Sequence, residues 1–336
     1  MKYKTCLLLA LFSGSLLSAK IENSILPVLE EIQDVKNLNP RKYSTNQIKE
    51  IRRALERSNE KIRVISYNML FDRNDDKLAP ENRFPARFPR LIEMVESMQP
   101  DVLCIQELQF HQVEKFMQNM GNTYGFYYDG KNGDQDGVLY RKDRFTFLGG
   151  RTWDIPHKVV GIPLTMVHLL DKVSGKTSYV FNVHLPFFLP DARERVAKAV
   201  AKTIRPYAET NAVILAGDMN TFANRPDIKT LPCYDGDRIE RILKRGGVTN
   251  SRVKSLLGHV GPISTFTNRL GKSEGFEGMG TPGVFLDHIF VSKSVLVLVH
   301  GVEPALVDGH FASDHMPLIV DIIVREPLDP KQKQTR

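Results

Sequence analysis

Cysteine and tryptophan are scarce in this sequence. The 336 residues include only three cysteines and one tryptophan. Cys6 lies near the N-terminus, so Cys104 and Cys233 leave room for one disulfide and exclude a disulfide-stapled scaffold. No CxxC pair and no Cys/His spacing typical of structural zinc occurs. The run VLCI around Cys104 reads as a strand, in which a thiol acts as a small apolar side chain.

Long apolar runs are missing beyond the first residues. The chain begins MKYKTCLLLALFSGSLLSAK, where Lys2 and Lys4 precede an apolar run and a series of small residues. We predict a secretory signal peptide over residues 1–19. Leu17 occupies a position where a small residue is preferred, so an uncleaved anchor or a buried helix is the alternative. No other segment is long enough to span a bilayer. We therefore expect an exported protein, periplasmic or secreted.

The remaining composition is typical of a globular protein. Hydrophobic residues make up 42% of the chain and charged residues 25%, with a formal charge of +7. The length suffices for a large core, and no internal repeat is visible. A basic balance attracts nucleic acid or anionic lipid, although it is also compatible with a solubilising surface. Nothing in the sequence indicates an obligate protein partner.

Residues 20–60 are predicted to form a helical N-terminal appendage. Ser44 and Gln47 fit a capping box, and Ile48, Ile51 and Leu55 recur at helical spacing.

Residues 61–325 alternate between strand and helix patterns. Helices are predicted at Phe84–Met98, Gln109–Met120 and Ala192–Ile204. Strands are predicted at KIRVISYN, DVLCIQE, GVLYRK, FTFLGG, PLTMVHLL, SYVFNVHL, AVILAGD, VFLDHIFV, VLVLV and PLIVDIIV. So many strands favour two stacked β-sheets flanked by helices. The glycine-rich Gly271–Gly283 is expected to be a surface loop or a lid, and residues 326–336 a frayed tail.

Eight polar residues stand at or near the ends of these strands. They are Asn68, Glu107, His184, Asp218, Asn220, Asp287, Asp314 and His315. Each alone has a structural explanation, such as a turn, a solvated strand end or a hydrogen-bonded core histidine. As a set they supply the groups of phosphoester hydrolysis. Carboxylate and amide oxygens suit Mg²⁺, and a histidine beside a carboxylate suits the activation of water.

The motifs around these residues carry a specific resemblance. SYN, QE, NVHL, GDMN, LDHIF and SDHMP occur in this order over about residues 62–325. This set resembles the endonuclease/exonuclease/phosphatase superfamily, whose members include deoxyribonuclease I, exonuclease III, deadenylases and neutral sphingomyelinases. The resemblance implies a four-layer α/β sandwich with two mixed sheets between helices.

The resemblance also implies a role for each residue. Glu107 would be the principal metal ligand, with Asn68 and Asp314 beside it, for Mg²⁺ or alternatively Mn²⁺. The catalytic set would follow: His315 as base, Asp287 as its orienting partner, Asp218 to position the nucleophile, Asn220 to hold the phosphate and His184 to stabilise the pentacovalent phosphate.

Departures from subfamily patterns narrow the substrate. Leu215, Ala216 and Phe222 do not match the 5-phosphatase pattern, Pro186 replaces the sphingomyelinase Gln, and QELQ replaces the repair-enzyme QExK. We expect an exported metal-dependent phosphoesterase, most simply a nuclease-like phosphodiesterase acting on nucleic acid. A lipid phosphodiesterase acting on membrane lipid, a small-molecule phosphatase and a non-catalytic binding module of the same fold are the alternatives.

Overall fold

A computed structural model describes most of the predicted domain. The described residues are 20–34, 36, 42–128, 134–156, 161–187, 189–222, 229, 234–267 and 284–325. Four predictions lie outside them: the signal peptide over residues 1–19, the loop Gly271–Gly283, the tail 326–336 and any pairing of Cys233.

The described helices and strands alternate along the chain. The helices are α1 (Leu26–Ile32), α2 (Thr45–Leu55), α3 (Phe84–Met98), α4 (Phe110–Met120), α5 (Pro190–Ala208), α6 (Arg238–Arg245) and α7 (Ser251–Lys254). The strands are β1 (Ile21–Glu22), β2 (Ile62–Asn68), β3 (Val102–Gln106), β4 (Leu108–Gln109), β5 (Tyr124–Tyr127), β6 (Asp134–Gln135), β7 (Val138–Arg141), β8 (Phe145–Ile155), β9 (Ile162–Asp171), β10 (Thr177–Val183), β11 (Ala212–Asp218), β12 (Val248–Asn250), β13 (His259–Val260), β14 (Asp287–Ser292), β15 (Val295–Val302), β16 (Leu306–Val307) and β17 (Leu318–Val324). In the described part of the chain, no helix has the length and apolar character needed to cross a membrane.

Two large mixed sheets form the centre of the molecule. The seven-stranded sheet has the order β13-β15-β17-β2-β3-β7-β5, and the six-stranded sheet has the order β12-β14-β11-β10-β9-β8. Strands β2 and β3 run parallel, as do β10 and β11, while β17 and β14 join them antiparallel. Two further short pairs, β1 with β16 and β4 with β6, lie outside the large sheets.

The sheets stack face to face between helices. Val64 and Cys104 of the seven-stranded sheet pack with Val180 and Ile214 of the six-stranded sheet in one buried cluster. The outer face of the seven-stranded sheet is covered by α3 and α4, and that of the six-stranded sheet by α5 and α6. The result is the predicted four-layer α/β sandwich. Cys104 is a buried free thiol in its inner layer, as its apolar context indicated.

Helices α1 and α2 pack on the outer face of the seven-stranded sheet. Leu29 of α1 and Ile51 of α2 are fully buried in the cluster that also holds the outward-facing Ile65 of β2. The predicted capping box is present, because Ser44 Oγ accepts from Gln47 N and Gln47 Oε1 accepts from Ser44 N. These helices therefore share the hydrophobic core of the strands that follow.

Most predicted elements occur with altered ends. Helix α3 has the predicted bounds, whereas α5 runs from Pro190 to Ala208 and exceeds the predicted 192–204 at both ends. Proline is tolerated at the first helical position, which extends α5 backwards. Strand β8 continues well beyond FTFLGG to Ile155, because its partner β9 supplies a ladder along that whole length. Helix α6 was not predicted.

The topology brings the ends of six strands to one edge. The parallel strands β2, β3, β10 and β11 finish there. Strands β14 and β17 are antiparallel to their neighbours and begin there, as the register pairs Asp218 with Asp287 and Ser66 with Leu318 show. Polar residues at these ends are therefore neighbours although they are far apart in sequence.

Candidate active site

His315 and Asp287 form a buried hydrogen-bonded pair. His315 Nδ1 lies 2.7 Å from Asp287 Oδ2, and both residues are almost fully buried. Asp287 is fixed in turn by Thr265, whose Oγ1 accepts from the Asp287 backbone N–H at 3.1 Å. With Nδ1 donating to the carboxylate, the other ring nitrogen is directed away from it and is available to a substrate or water.

Asp218 connects this pair to the rest of the site. Its Oδ2 lies 3.8 Å from His315 Nε2 and 3.4 Å from His184 Nε2. The same oxygen accepts from Asn68 Nδ2 at 3.3 Å, and Oδ1 accepts from the backbone N–H of Asn220 at 2.8 Å. Asp218 therefore has a fixed carboxylate whose Oδ2 is shared by both histidines.

His184 and Asn220 lie together beside Asp218. Asn220 Nδ2 donates to the Leu185 carbonyl at 2.9 Å and lies 3.1 Å from His184 Nε2. When His184 is protonated, both of its ring nitrogens are donors, so the second Asn220 hydrogen is free for an acceptor. The two side chains together can then present donors to one oxyanion.

Glu107 is held by Asn68 at the end of β3. Asn68 Nδ2 donates to Glu107 Oε1 at 2.9 Å, and the Phe71 backbone N–H donates to Glu107 Oε2 at 3.4 Å. Asn68 Oδ1 accepts from Leu70 N at 3.0 Å, which leaves it one lone pair. In this arrangement Asn68 orients the Glu107 carboxylate whether or not it binds an ion itself.

Asp314 joins the site through the neighbouring serine. Ser313 Oγ donates to the Asn68 carbonyl at 2.7 Å and accepts from His315 N at 3.3 Å, so the SDH segment is anchored to the end of β2. The Asp314 carbonyl accepts from Thr267 N at 2.7 Å. Asp314 and Glu107 line the same cavity. The structure thus brings all eight predicted residues together at one edge.

The backbone at these strand ends is unusual. Leu70, Glu107 and Asn220 have φ values of 56°, 70° and 47°, in the left-handed region that few non-glycine residues adopt. Such conformations cost about 1–3 kcal/mol each and persist where the surroundings impose them. Only glycine fits at Gly217 of the GDMN motif, because a Cβ there would overlap the Val183 carbonyl oxygen.

The charges at the site perturb one another strongly. Burial raises the pKa of Glu107, Asp287 and Asp314 above their usual values. Burial opposes the charged form of His315 as well, but Asp287 and Asp218 outweigh it and raise the pKa of that imidazole well above its usual value. His184 follows the same balance, with Asp218 and Glu107 raising its pKa.

This surplus of carboxylates fits a divalent cation. Among the residues that the structure describes, the ion-pair partners of Glu107, Asp218 and Asp287 are histidines. Ligand atoms of Asp218, Asp287 and His315 lie within 4.8 Å of one another, but the direct 2.7 Å hydrogen bond leaves no space for an ion between His315 Nδ1 and Asp287. Oxygen donors suit Mg²⁺, so Glu107 with Asp314 is the better position.

The site opens into a cavity of about 710 Å³. Glu107, His184, Asp218, Asn220, Asp314 and His315 form its floor, and apolar side chains form most of its walls. This shape, with a few convergent polar groups in an apolar cleft, is typical of a binding site for a small group.

The sequence analysis did not predict a buried ion pair that lies next to the segments following His184 and Asn220. Arg193 Nε donates to Asp235 Oδ2 at 2.8 Å, with both side chains at most 1% exposed. Arg193 Nη1 also donates to the Pro186 carbonyl at 3.2 Å, and Asp235 Oδ1 accepts from Thr221 Oγ1 at 2.9 Å and Phe222 N at 3.0 Å. The pair therefore ties the segment after His184 to the segment after Asn220.

Two further buried polar side chains, Arg87 and Gln106, contact the segments beside Asn68 and Glu107. Arg87, fully buried in α3, donates to the carbonyls of Met69 at 2.6 Å and of Leu70. Gln106 Nε2 donates to Asn182 Oδ1 at 2.7 Å, which joins the two sheets one residue before Glu107. A charged or amide residue inside an otherwise apolar helix or strand was the available signal, but it does not identify the partner.

Comparisons with known proteins agree with this geometry. The sequence model of the Endonuclease/Exonuclease/phosphatase family matches residues 65–315. An endonuclease/exonuclease/phosphatase from Bacteroides vulgatus has a similar structure, with a TM-score of 0.64 and 20% identity over 79% of this chain and 99% of that one.

Two structures with named activities are also similar. A mannosyl-6-phosphatase from Bacteroides thetaiotaomicron has a TM-score of 0.63 and 23% identity, covering 78% of this chain and 99% of its own. D. rerio TDP2, complexed with a single-stranded DNA product, has a TM-score of 0.57 and 20% identity over 78% and 98%. At these identities the likenesses establish the fold alone.

Proposed function

Because the chain belongs to the endonuclease/exonuclease/phosphatase family of phosphoester-cleaving hydrolases, we propose that it is a metal-dependent phosphodiesterase using water activated by His315. The observation that supports this most is the 2.7 Å contact between His315 Nδ1 and Asp287 Oδ2. It orients the imidazole with Nε2 directed away from Asp287, and in the neutral ring that nitrogen is an acceptor, which is the requirement for a general base.

The residues divide the reaction between them. A water between His315 Nε2 and Asp218 Oδ2, which are 3.8 Å apart, would be held by both. Its oxygen attacks phosphorus as its proton passes to Nε2, and the bond to the leaving oxygen breaks. His184 and Asn220 donate to the phosphoryl oxygens, whose negative charge grows in the transition state.

Members of the family depend on a divalent metal, and the residues here fit one. Glu107 and Asp314 would hold it, with Asn68 orienting Glu107. When bound, the cation would offset the charge of the phosphate and of the surrounding carboxylates. Those carboxylates would then raise the pKa of His315 less. We propose Mg²⁺, with Mn²⁺ as an alternative, because the available donors are oxygens.

Charge favours a diester over a monoester. A phosphomonoester carries about −1.5 to −2 at pH 7, whereas a diester phosphate carries one negative charge. The cavity already contains Glu107, Asp218 and Asp314, and no Lys or Arg lines it within the described ranges. A monoester would therefore meet the greater repulsion.

The test is hydrolysis of bis(4-nitrophenyl) phosphate and 4-nitrophenyl phosphate by the full chain with Mg²⁺, with Mn²⁺ and with EDTA. We expect faster metal-dependent turnover of the diester and none in EDTA. A parallel panel of DNA, RNA, sphingomyelin and a sugar phosphate would then rank natural substrate classes. Full activity in EDTA, or turnover of monoesters alone, would contradict the proposal.

A further inference from the structure

The apolar walls of the active-site cavity include four phenylalanines. Phe71, Phe187, Phe222 and Phe266 line it together with aliphatic residues. Phe187 is 48% exposed, whereas Phe222 is 8% exposed. Phe266 packs edge-on against His315, with ring centroids 5.1 Å apart, so an aromatic surface reaches the catalytic base.

Two of these rings have a guanidinium group beside them. The Arg193 guanidinium lies 5.6 Å from the Phe222 ring, and the Phe222 backbone N–H donates to Asp235 at 3.0 Å. The Arg73 guanidinium lies 5.1 Å from the Phe71 ring. Phe222, held by a buried guanidinium and a backbone hydrogen bond, loses little entropy when a ligand packs on it and is therefore preorganised.

The same walls are poor in groups that would bind other substituents. Apart from the floor residues, Asn74 is the polar side chain among the described lining, and Lys and Arg are absent from it. A sugar needs several hydrogen-bonding partners, and a second phosphate needs a cation. Basic side chains instead border a separate groove between α5 and α6, at Lys198, Lys202, Arg205 and Arg245.

Building on the proposed phosphodiesterase, we propose that this cavity binds a flat aromatic substituent of the diester, as a base of single-stranded nucleic acid presents, stacked on the phenylalanine wall. The substrate would be recognised through the ring and the scissile phosphate, with no neighbouring phosphate held in the cavity. The aromatic character of four wall residues favours a ring over the acyl chain of a lipid.

The test uses three diesters with the same 4-nitrophenyl leaving group and one charge, which differ in the second substituent: phenyl, n-hexyl or methyl. We expect the phenyl ester to have a kcat/KM about tenfold above the methyl ester, as stacking of one ring on an aromatic side chain provides. Phe187→Ala should remove most of the advantage of the phenyl ester over the methyl ester. The control is Phe147→Ala, which alters a ring that is 38% exposed on β8, outside the cavity.

Binding without turnover provides the second readout. Calorimetry with the full chain should give diphenyl phosphate a Kd about tenfold below that of dimethyl phosphate, an advantage that Phe187→Ala reduces. Equal affinities, or a hexyl ester preferred to the phenyl ester, would overturn the aromatic subsite, and the second result would indicate a lipid. Tight diphenyl phosphate binding with no hydrolysis of any ester would support the subsite while contradicting the proposed phosphodiesterase.

Discussion

Removal of the Asp235 carboxylate tests whether the buried pair with Arg193 positions the phosphate-binding residues. Asp235→Asn keeps the shape of the side chain and removes its charge. The Arg193 guanidinium would then lose its carboxylate partner while it remains fully buried. Thr221 and Phe222 would also lose the ionised acceptor that holds the segment after Asn220.

The burial of both partners sets the magnitude. Loss of one member of a buried pair costs about 3–5 kcal/mol, because the other charge remains desolvated. We therefore expect the free energy of unfolding to fall by about that amount. The loosened segments also bear His184 and Asn220, so KM should rise about tenfold, as a misplaced donor weakens phosphate binding.

A nearby surface pair provides the control. Asp237 lies 3.2 Å from Arg241, with side chains 64% and 61% exposed. Asp237→Asn should cost about 0.3–0.5 kcal/mol and leave KM unchanged. Urea unfolding followed by circular dichroism, with steady-state kinetics on a diester, measures both effects. If Asp235→Asn has the same unfolding free energy and the same KM as the Asp237→Asn control, the buried pair does not position the phosphate-binding residues.

Three other predictions follow from single features. Glu107→Gln should weaken activation by Mg²⁺ and leave the melting temperature nearly unchanged, because the amide keeps the shape and loses the charge. The measurement is activity as a function of Mg²⁺ concentration; identical curves for the variant and the wild type would contradict the prediction. Burial opposes ionisation of Asp321, but Arg63 and Lys61 outweigh that effect and lower the pKa of the carboxyl. The ionised Asp321 therefore stabilises the fold above its unfolded pKa of about 4, and this stabilisation is lost as pH falls through the lower folded pKa. Asp321→Asn should thus cost about 3 kcal/mol at pH 7 and progressively less below pH 4, as urea unfolding across pH would reveal; a cost independent of pH would contradict this. We propose export with removal of residues 1–19, which mass spectrometry of the native protein would detect; a retained Met1 would contradict it.

The positions of the site residues were predictable from sequence because strand ends mark them. Asp218 of the GDMN motif is the last residue of the fully buried strand β11, and Glu107 follows β3, so both had to reach a sheet edge. Antiparallel pairing then brings Asp287 beside Asp218, which hydrophobic patterning alone could not establish. The number and spacing of strands likewise favoured two stacked sheets flanked by helices, and the family resemblance implied the four-layer sandwich.

The supporting contacts were not predictable, since they join residues that are distant in sequence. Arg193 looks like a solvent-facing residue of an amphipathic helix, yet it is completely buried against Asp235. Residues 20–60 give a helical pattern but no sign of the sheet face on which Leu29 and Ile51 pack. Side-chain identity indicates that a partner is needed, and only tertiary structure identifies that partner.

We propose that His315 Nε2 removes a proton from the attacking water while Asp287 orients the ring. The most direct measurement is kcat of His315→Ala on a phosphodiester at saturating Mg²⁺, with circular dichroism to verify folding. General-base catalysis predicts that kcat falls by about 10²–10⁴-fold. A folded His315→Ala enzyme with kcat near that of the wild type would contradict general-base catalysis by His315.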